Sequence, residues 1–282
     1  MTKKDKPIAF QGEMGANSHI ACNDIFPDRD VLPCTTFEGA FKAVENGSAA
    51  LAVLPVENTV AGRVADIHRL LPGYNLYIIG EYFMRIRHCL LGLSGASVDG
   101  LTHVRSHEMA LGQCRHILNE LDLEPVVSAD TAGSAREIAE LNDPALAAIA
   151  SPLAAEINGL QIFKENIEDA KHNTTRFLVM APAPDDAEPN SGDVITSFIF
   201  RCRNVPAALY KALGGFATNG VNITKLESYQ IEGSFMATQF YADIEGHPDD
   251  EAVRLALDEL NYFCSELNIL GVYPAAEFRK TM

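Results

Sequence analysis

The stretch "APAPDDAEPNSGD", residues 181–193, decides how the rest of the chain is divided. It holds three prolines and four acids, and no large apolar residue. That composition offers nothing to a core and reads as an exposed linker. Placed at 183–193, it separates a domain at 1–182 from a second at 194–282.

The segment after the linker has the sharper pattern. "DVITSFIFRC" reads as a strand, and "PAALYKALGGFATNG" as a helix opened by Pro206 and stopped by Gly220. "VNITKLESYQI" and "SFMATQFYADI" read as two strands joined by a turn at Glu232–Gly233. "DDEAVRLALDELNYFC" reads as a helix capped by Asp249 or Asp250, and "NILGVYP" as a last strand. The order βαββαβ is that of a ferredoxin-like unit.

The segment before the linker alternates. "IAFQG" (8–12) and "LAVLPV" (51–56) read as strands, and "FEGAFKAVENG" (37–47) as an amphipathic helix closed by Gly47. "RVADIHRLL" (63–71) reads as a helix, and "LYIIGEYFMRIRHCLLG" (76–92) as one long or two short strands. A helix at 107–121, a strand at 125–128, a helix near 132–141 and a strand at 146–150 follow. This alternation predicts α/β layers around buried strands. Its two runs predict two lobes, about 1–82 with 171–182, and 83–170.

Composition excludes several function classes. The apolar share, 47%, is enough for a sizeable core. With 38 acids against 22 bases, the net charge of −16 argues against nucleic acid, which needs clustered Lys and Arg. An anionic ligand must then be held by local donors. No apolar run suits a signal peptide or a membrane span, and the six scattered cysteines never form CxxC. A reduced, cytoplasmic protein without a structural metal is expected.

Donors gather in loops that open helices: "GEMGANSH" (12–19), "PVENTVAGRVAD" (55–66), "VRSHEMALGQC" (104–114) and "DTAGSAREIA" (130–139). A helix N-terminus carries free N–H groups and partial positive charge, so each loop is a candidate anion cradle. Plain N-capping by Asn17 or Ser18, by Ser106 and by Thr131 is the structural alternative. "AKHNTTRFLVM" (170–180) crowds an amine, an imidazole, an amide, two hydroxyls and a guanidinium before an apolar run. No P-loop, Rossmann or GxSxG signature is present.

These blocks together resemble the prephenate dehydratase family. "PVENTVAGRV", "SHEMALGQC", "DTAGSA" and "NTTRFLV" are similar to its ordered motifs, and the tail resembles an ACT regulatory domain. The resemblance implies a two-lobed α/β catalytic domain of the type II periplasmic-binding-protein kind, followed by a ferredoxin-like ACT domain. It also implies cofactor-free loss of carbon dioxide and hydroxyl from prephenate to give phenylpyruvate. Arogenate as substrate, or a non-catalytic amino-acid sensor, are the alternatives.

By resemblance Thr175 is the hydroxyl at the departing oxygen. Thr174 stays open as its rival, although the family's register favours Thr175. Arg176 is the candidate fork for a carboxylate, with a structural pairing to Glu57 as its alternative. Asn58, Thr59, Ser106, His107, Thr131 and Asn173 are candidate substrate donors, and Glu57 a supporting partner. The resemblance further implies a phenylalanine effector site at Pro206, Ala207, Ala208, Leu209, Asn219, Gly220, Val221, Asn222, Glu227 and Ser228. Ala207 stands where the family has glycine, and Tyr229-Gln230 where it has Arg-Pro. Inhibition by L-phenylalanine is expected, with a homodimer or homotetramer through the ACT sheet and a hinge near Tyr82 and Ala170–Lys171.

Overall fold

The computed structural model describes residues 6–203, 205–230 and 239–281. In chain order the elements are β1 (Ile8–Gln11), α1 (Asn17–Ile25), β2 (Val31–Cys34), α2 (Phe37–Glu45), β3 (Leu51–Asn58), β4 (Gly62–Arg63), α3 (Ala65–Leu70) and β5 (Tyr77–Arg85). Next come β6 (Cys89–Gly92), β7 (His103–Ser106), α4 (Glu108–Gln113), α5 (Arg115–Glu120), β8 (Glu124–Val127), α6 (Thr131–Leu141), β9 (Leu146–Ala150), α7 (Pro152–Asn158) and β10 (Gln161–Lys164). The last are β11 (Thr174–Ala181), β12 (Val194–Cys202), α8 (Ala208–Thr218), β13 (Ile223–Tyr229), β14 (Gln239–Glu245), α9 (Glu251–Phe263) and β15 (Cys264–Pro274). The turn expected at Glu232–Gly233 lies outside the described residues.

Contacts divide the chain into two compact units. One holds the residues up to Val64 with Phe83–Phe177, and the other Ala65–Tyr82 with the residues from Leu178 onward. This grouping differs from a split at the proline-rich linker, and the boundary falls within β5 and β11.

Two sheets run through the first unit, and residues 65–82 of the first expected lobe belong to the other unit. The sheet through β1 has the order β2-β1-β3-β11-β5, with β1 parallel to β2 and to β3, and β4 paired to β3. The second sheet has the order β10-β6-β9-β7-β8. Its strands alternate faces, as the two-residue side-chain period dictates. Leu90, Ala147 and Ile149 pack with Leu111, Cys114 and Ile117 of the α4–α5 side. Leu91, Ala148 and Ala150 pack with Ala132, Ala135 and Ala154 of the α6–α7 side. The helix expected over 107–121 breaks at Cys114, where the backbone leaves helical geometry (φ −125°, ψ 28°).

Side chains bridge the two sheets within this unit. Ser151 Oγ donates to Gly15 O at 2.5 Å. Arg136 forks onto both oxygens of Glu13 at 2.9 and 3.1 Å, and those hydrogen bonds hold the Glu13 carboxyl below its ordinary pKa. A Cβ on Gly15 would stand 2.7 Å from Ala154 Cα, so only glycine permits this approach.

The second unit contains an antiparallel sheet of order β13-β14-β12-β15, with α8 and α9 on one face. The βαββαβ order read from the sequence is therefore present. Its other face receives residues 65–82. The Glu81 carboxylate accepts a fork from Arg279 at 2.6 and 2.9 Å, and the His68 ring meets Tyr241 edge-on at 5.1 Å. Gly271 lies so close to Ile78 that a Cβ would collide with its carbonyl. These contacts explain why 65–82 groups with the C-terminal sheet. No described helix is long and apolar enough to cross a membrane.

Ala207 begins α8 in the left-handed region, at φ 59° and ψ 23°. A Cβ there is strained, and glycine removes the strain at some entropic cost. Ala207→Gly is therefore expected to raise unfolding stability by about 0.5–1 kcal/mol, read by urea titration. A loss of stability would contradict this account of the loop.

Candidate active site

The site is built outward from Asn58 at the end of β3. Its Oδ1 accepts from Val60 N at 2.9 Å and from Ala61 N at 2.7 Å. Two backbone donors on that atom fix which way the amide faces. Its Nδ2 therefore donates, to Asn173 Oδ1 at 2.8 Å and to Thr175 Oγ1 at 2.9 Å. Asn173 Nδ2 donates in turn to Gln113 Oε1 at 3.0 Å. Both amide protons of Asn58 are thus used.

The wall around this network encloses about 420 Å³. Gln11, Asn17, Ser18, Asn58 and Thr175 come to it from the β1–β3–β11 side, and His88, His107, Gln113, Asp130 and Thr131 from the second sheet. Phe37, Val64, Ile86, Ala110 and Phe177 supply apolar wall. Among the described residues, its lining includes no Lys or Arg. A depression of about 690 Å³ elsewhere is lined by Glu165, Glu168 and Asp169 with Lys164 and His116. Three carboxylates make that one a poor receptor for an anion.

Strand alternation separates the expected residues of β11. Thr175 lines the cavity, and its Oγ1 already accepts from Asn58, so its own O–H is available to the cavity. Thr174 and Arg176 point to the other face and are absent from the wall. Arg176 is 2% exposed, donates to Glu57 Oε1 at 3.0 Å and lies 5.9 Å from the Phe83 ring centroid. Arg176, expected as a fork for a substrate carboxylate, is thus found in the pairing with Glu57 that was its structural alternative.

Two more expected donors are occupied by backbone. Thr59 Oγ1 donates to His172 O at 2.8 Å and accepts from Thr174 N at 3.0 Å. Ser106 is fully buried and donates to Ile149 O at 2.6 Å. Both hydroxyls tie strands together and neither lines the cavity. Asn173 is 1% exposed and acts through its neighbours instead of on the wall.

His107 and Thr131 do reach the wall. His107 Nδ1 accepts from Met109 N at 3.2 Å and caps α4, which leaves Nε2 to face outward as a donor. Asp130, not Thr131, caps α6, through Gly133 N at 2.7 Å. At α1 the cap position is Ala16, which has no side-chain acceptor, so neither Asn17 nor Ser18 caps it. The uncapped first turn of α1 and the start of α6 both border the cavity.

His88, Gln113 and Asp130 were not singled out from the sequence. Gln113 lies six residues beyond His107 within a quoted block, the one signal that pointed to it. His88 precedes an apolar strand and looks like any core histidine. The residue is 3% exposed, its Nε2 lies 2.9 Å from Gln113 Oε1, and burial lowers its pKa. No group of three or more His, Cys, Asp or Glu among the described residues is arranged to hold a metal.

Of the effector residues expected by resemblance, Asn222 Nδ2 donates to Glu245 Oε2 at 3.1 Å, and Glu227 accepts from Lys225 at 3.2 Å. Asn219 Nδ2 donates back to Gly215 O at 2.8 Å, and Val221 N to Phe216 O at 2.9 Å. Gly220 takes φ +69°, closing α8, and Pro206 is exposed ahead of it.

The prephenate dehydratase family model matches residues 8–185. A Komagataeibacter europaeus protein named bifunctional N-acyl-homoserine lactone acylase/prephenate dehydratase is 50% identical over 276 residues, 98% of each chain. Arogenate dehydratase/prephenate dehydratase 2 of Arabidopsis thaliana is 38% identical, across 95% of this chain and 72% of its own. The solved prephenate dehydratase of Arthrobacter aurescens in complex with L-Phe is 29% identical at a TM-score of 0.88, covering 96% of this chain and 90% of its own. The chain belongs to the prephenate dehydratase family.

Proposed function

We propose that the protein converts prephenate to phenylpyruvate, with Thr175 at the departing oxygen. The observation that carries this reading is the Asn58–Thr175 hydrogen bond, which assigns the acceptor role of Oγ1 and leaves the O–H for the cavity. As a carboxylate leaves as carbon dioxide, the pair of its C–C bond flows into the ring. The ring hydroxyl departs and needs a proton to leave as water. An alcohol is a weak acid, so Thr175 acts by a strong hydrogen bond or by relaying a proton, not as a free-standing acid.

The substrate's two carboxylates call for several donors. The uncapped start of α1, the start of α6, His107 Nε2 and the Gln113 amide support that role. Asp130 is the one carboxylate among the described residues of the wall. It suits the ammonium of arogenate better than the keto group of prephenate. Comparing kcat/KM on the two substrates decides between them, and no turnover of prephenate by folded protein would reject the proposal.

Thr175→Ala is expected to lower turnover at least about a hundredfold, the lower range for a positioned proton donor. Thr174→Val is expected to change turnover little, because its side chain is off the wall. The reverse pattern in steady-state assays would move the role to Thr174.

The C-terminal βαββαβ unit supports an ACT-type regulatory role, with L-phenylalanine as effector and a dimer or tetramer as the assembly. Asn222→Ala removes the tie to Glu245 across the expected effector loop. It is expected to raise the phenylalanine concentration for half-inhibition about fivefold or more, with the uninhibited rate kept. Unchanged inhibition would place the effector elsewhere.

The 50% identity to the bifunctional Komagataeibacter protein favours a second reading, hydrolysis of the amide of an N-acyl-homoserine lactone. Water would add across the C–N bond to release a fatty acid and homoserine lactone. Wild-type protein incubated with an acyl-homoserine lactone is expected to release free amine above the spontaneous rate. Release at the spontaneous rate would remove this reading.

A further inference from the structure

His88 plays no part in the chemistry above, yet it ends the hydrogen-bonded chain that reaches Thr175. The direction of every bond in that chain follows from its far end. Val60 N and Ala61 N make Asn58 Oδ1 an acceptor, so Asn58 Nδ2 donates to Asn173 Oδ1. Asn173 Nδ2 must then donate, which makes Gln113 Oε1 an acceptor. His88 Nε2 approaches that same oxygen at 2.9 Å, so it carries the proton.

The His88 backbone is held as well. His88 N donates to Glu168 Oε2 at 3.0 Å, and Glu168, 7% exposed, pairs with Arg85 at 3.2 Å. Burial lowers the imidazole's pKa and so favours its neutral form. With two donors on Oε1, the Gln113 amide has its carbonyl turned inward and its NH2 group left for the cavity.

We propose that His88 is a positioning residue for the dehydratase reaction, fixing through its Nε2–H the orientation of Gln113 so that the Gln113 amide donates to the substrate. The proposal rests on the dehydratase reading, and its first test does not depend on activity. Long-range proton–nitrogen correlation on protein labelled with ¹⁵N at histidine reads the tautomer of His88, identified by the signal lost in His88→Gln. A neutral ring protonated at Nε2 is expected, and a proton on Nδ1 would overturn the proposal.

The second test is kinetic. His88→Leu is expected to lower kcat about tenfold, the equivalent of one oriented hydrogen bond, while His88→Gln restores most of the loss. In a Gln113→Ala background, His88→Leu is expected to have no further effect. Equal rates for His88→Leu and wild type, or a full additional loss in the Gln113→Ala background, would refute the role. Absence of wild-type turnover would instead count against the dehydratase reading, leaving the tautomer to judge His88.

Discussion

Two backbone N–H groups on one side-chain oxygen set the polarity of the whole site. Val60 and Ala61 hold Asn58 Oδ1, and every later donor and acceptor follows from that choice. Were the amide reversed, two backbone donors would face an NH2 group, and both hydrogen bonds to Asn58 Oδ1 would be lost. The turn is local and close to the surface, but it propagates inward because Asn173 is nearly sealed from water. An amide in that position must match its neighbours, so the network has one arrangement.

The second constraint is the two-residue period of β11. All eight of its residues are buried, so both faces are committed to packing. One face delivers Thr175 and Phe177 to the cavity, and the other carries Arg176 to Glu57 and Phe83. A shift of one residue would exchange the hydroxyl for a guanidinium and leave Glu57 without its partner. The Arg176–Glu57 pair therefore helps to hold the register in which Thr175 faces the cavity.

Much of the fold was legible because it rests on local periodicity. The βαββαβ order and the alternation in the first part both came from apolar spacing and from Gly and Pro punctuation. Helix α7 had equally clear signals, Ser151 as cap, Pro152 at the first position and a left-handed Gly159, but at seven residues it is too short for periodicity to register. The site was legible as a list of residue types and less so as a set of roles. Thr59, Ser106 and Thr175 are all hydroxyls beside loops, and only their tertiary partners separate them. Ser106 meets Ile149 O and Thr59 meets His172 O, so both are occupied, whereas Thr175 accepts from Asn58 and keeps its proton. The association of 65–82 with the C-terminal sheet was invisible for the same reason, since Glu81 and Arg279 are 198 residues apart.

The proposed function raises the question of how a chain with a net charge of −16 would admit a dianion to a cavity with no Lys or Arg among the described residues of its lining. Diffuse surface charge is screened within about 8–10 Å at physiological ionic strength, while a helix end acts at contact distance. Each such end contributes roughly 0.3–1 kcal/mol, and up to about 2 in a partly buried setting. Arg136 offers little more, since Glu13 and Glu140 already hold it. Ground-state attraction in such a cavity is therefore modest. Donors aimed where charge builds up at the departing oxygen suffer no such limit, because they strengthen as the C–O bond lengthens. On the proposed function, a wall of oriented dipoles without a fixed cation would spend little on holding the substrate and concentrate its effect at Thr175. It also leaves Asp130 uncompensated by any cation on the wall, which makes the charge of the substrate's side chain the term most able to separate two otherwise similar acids.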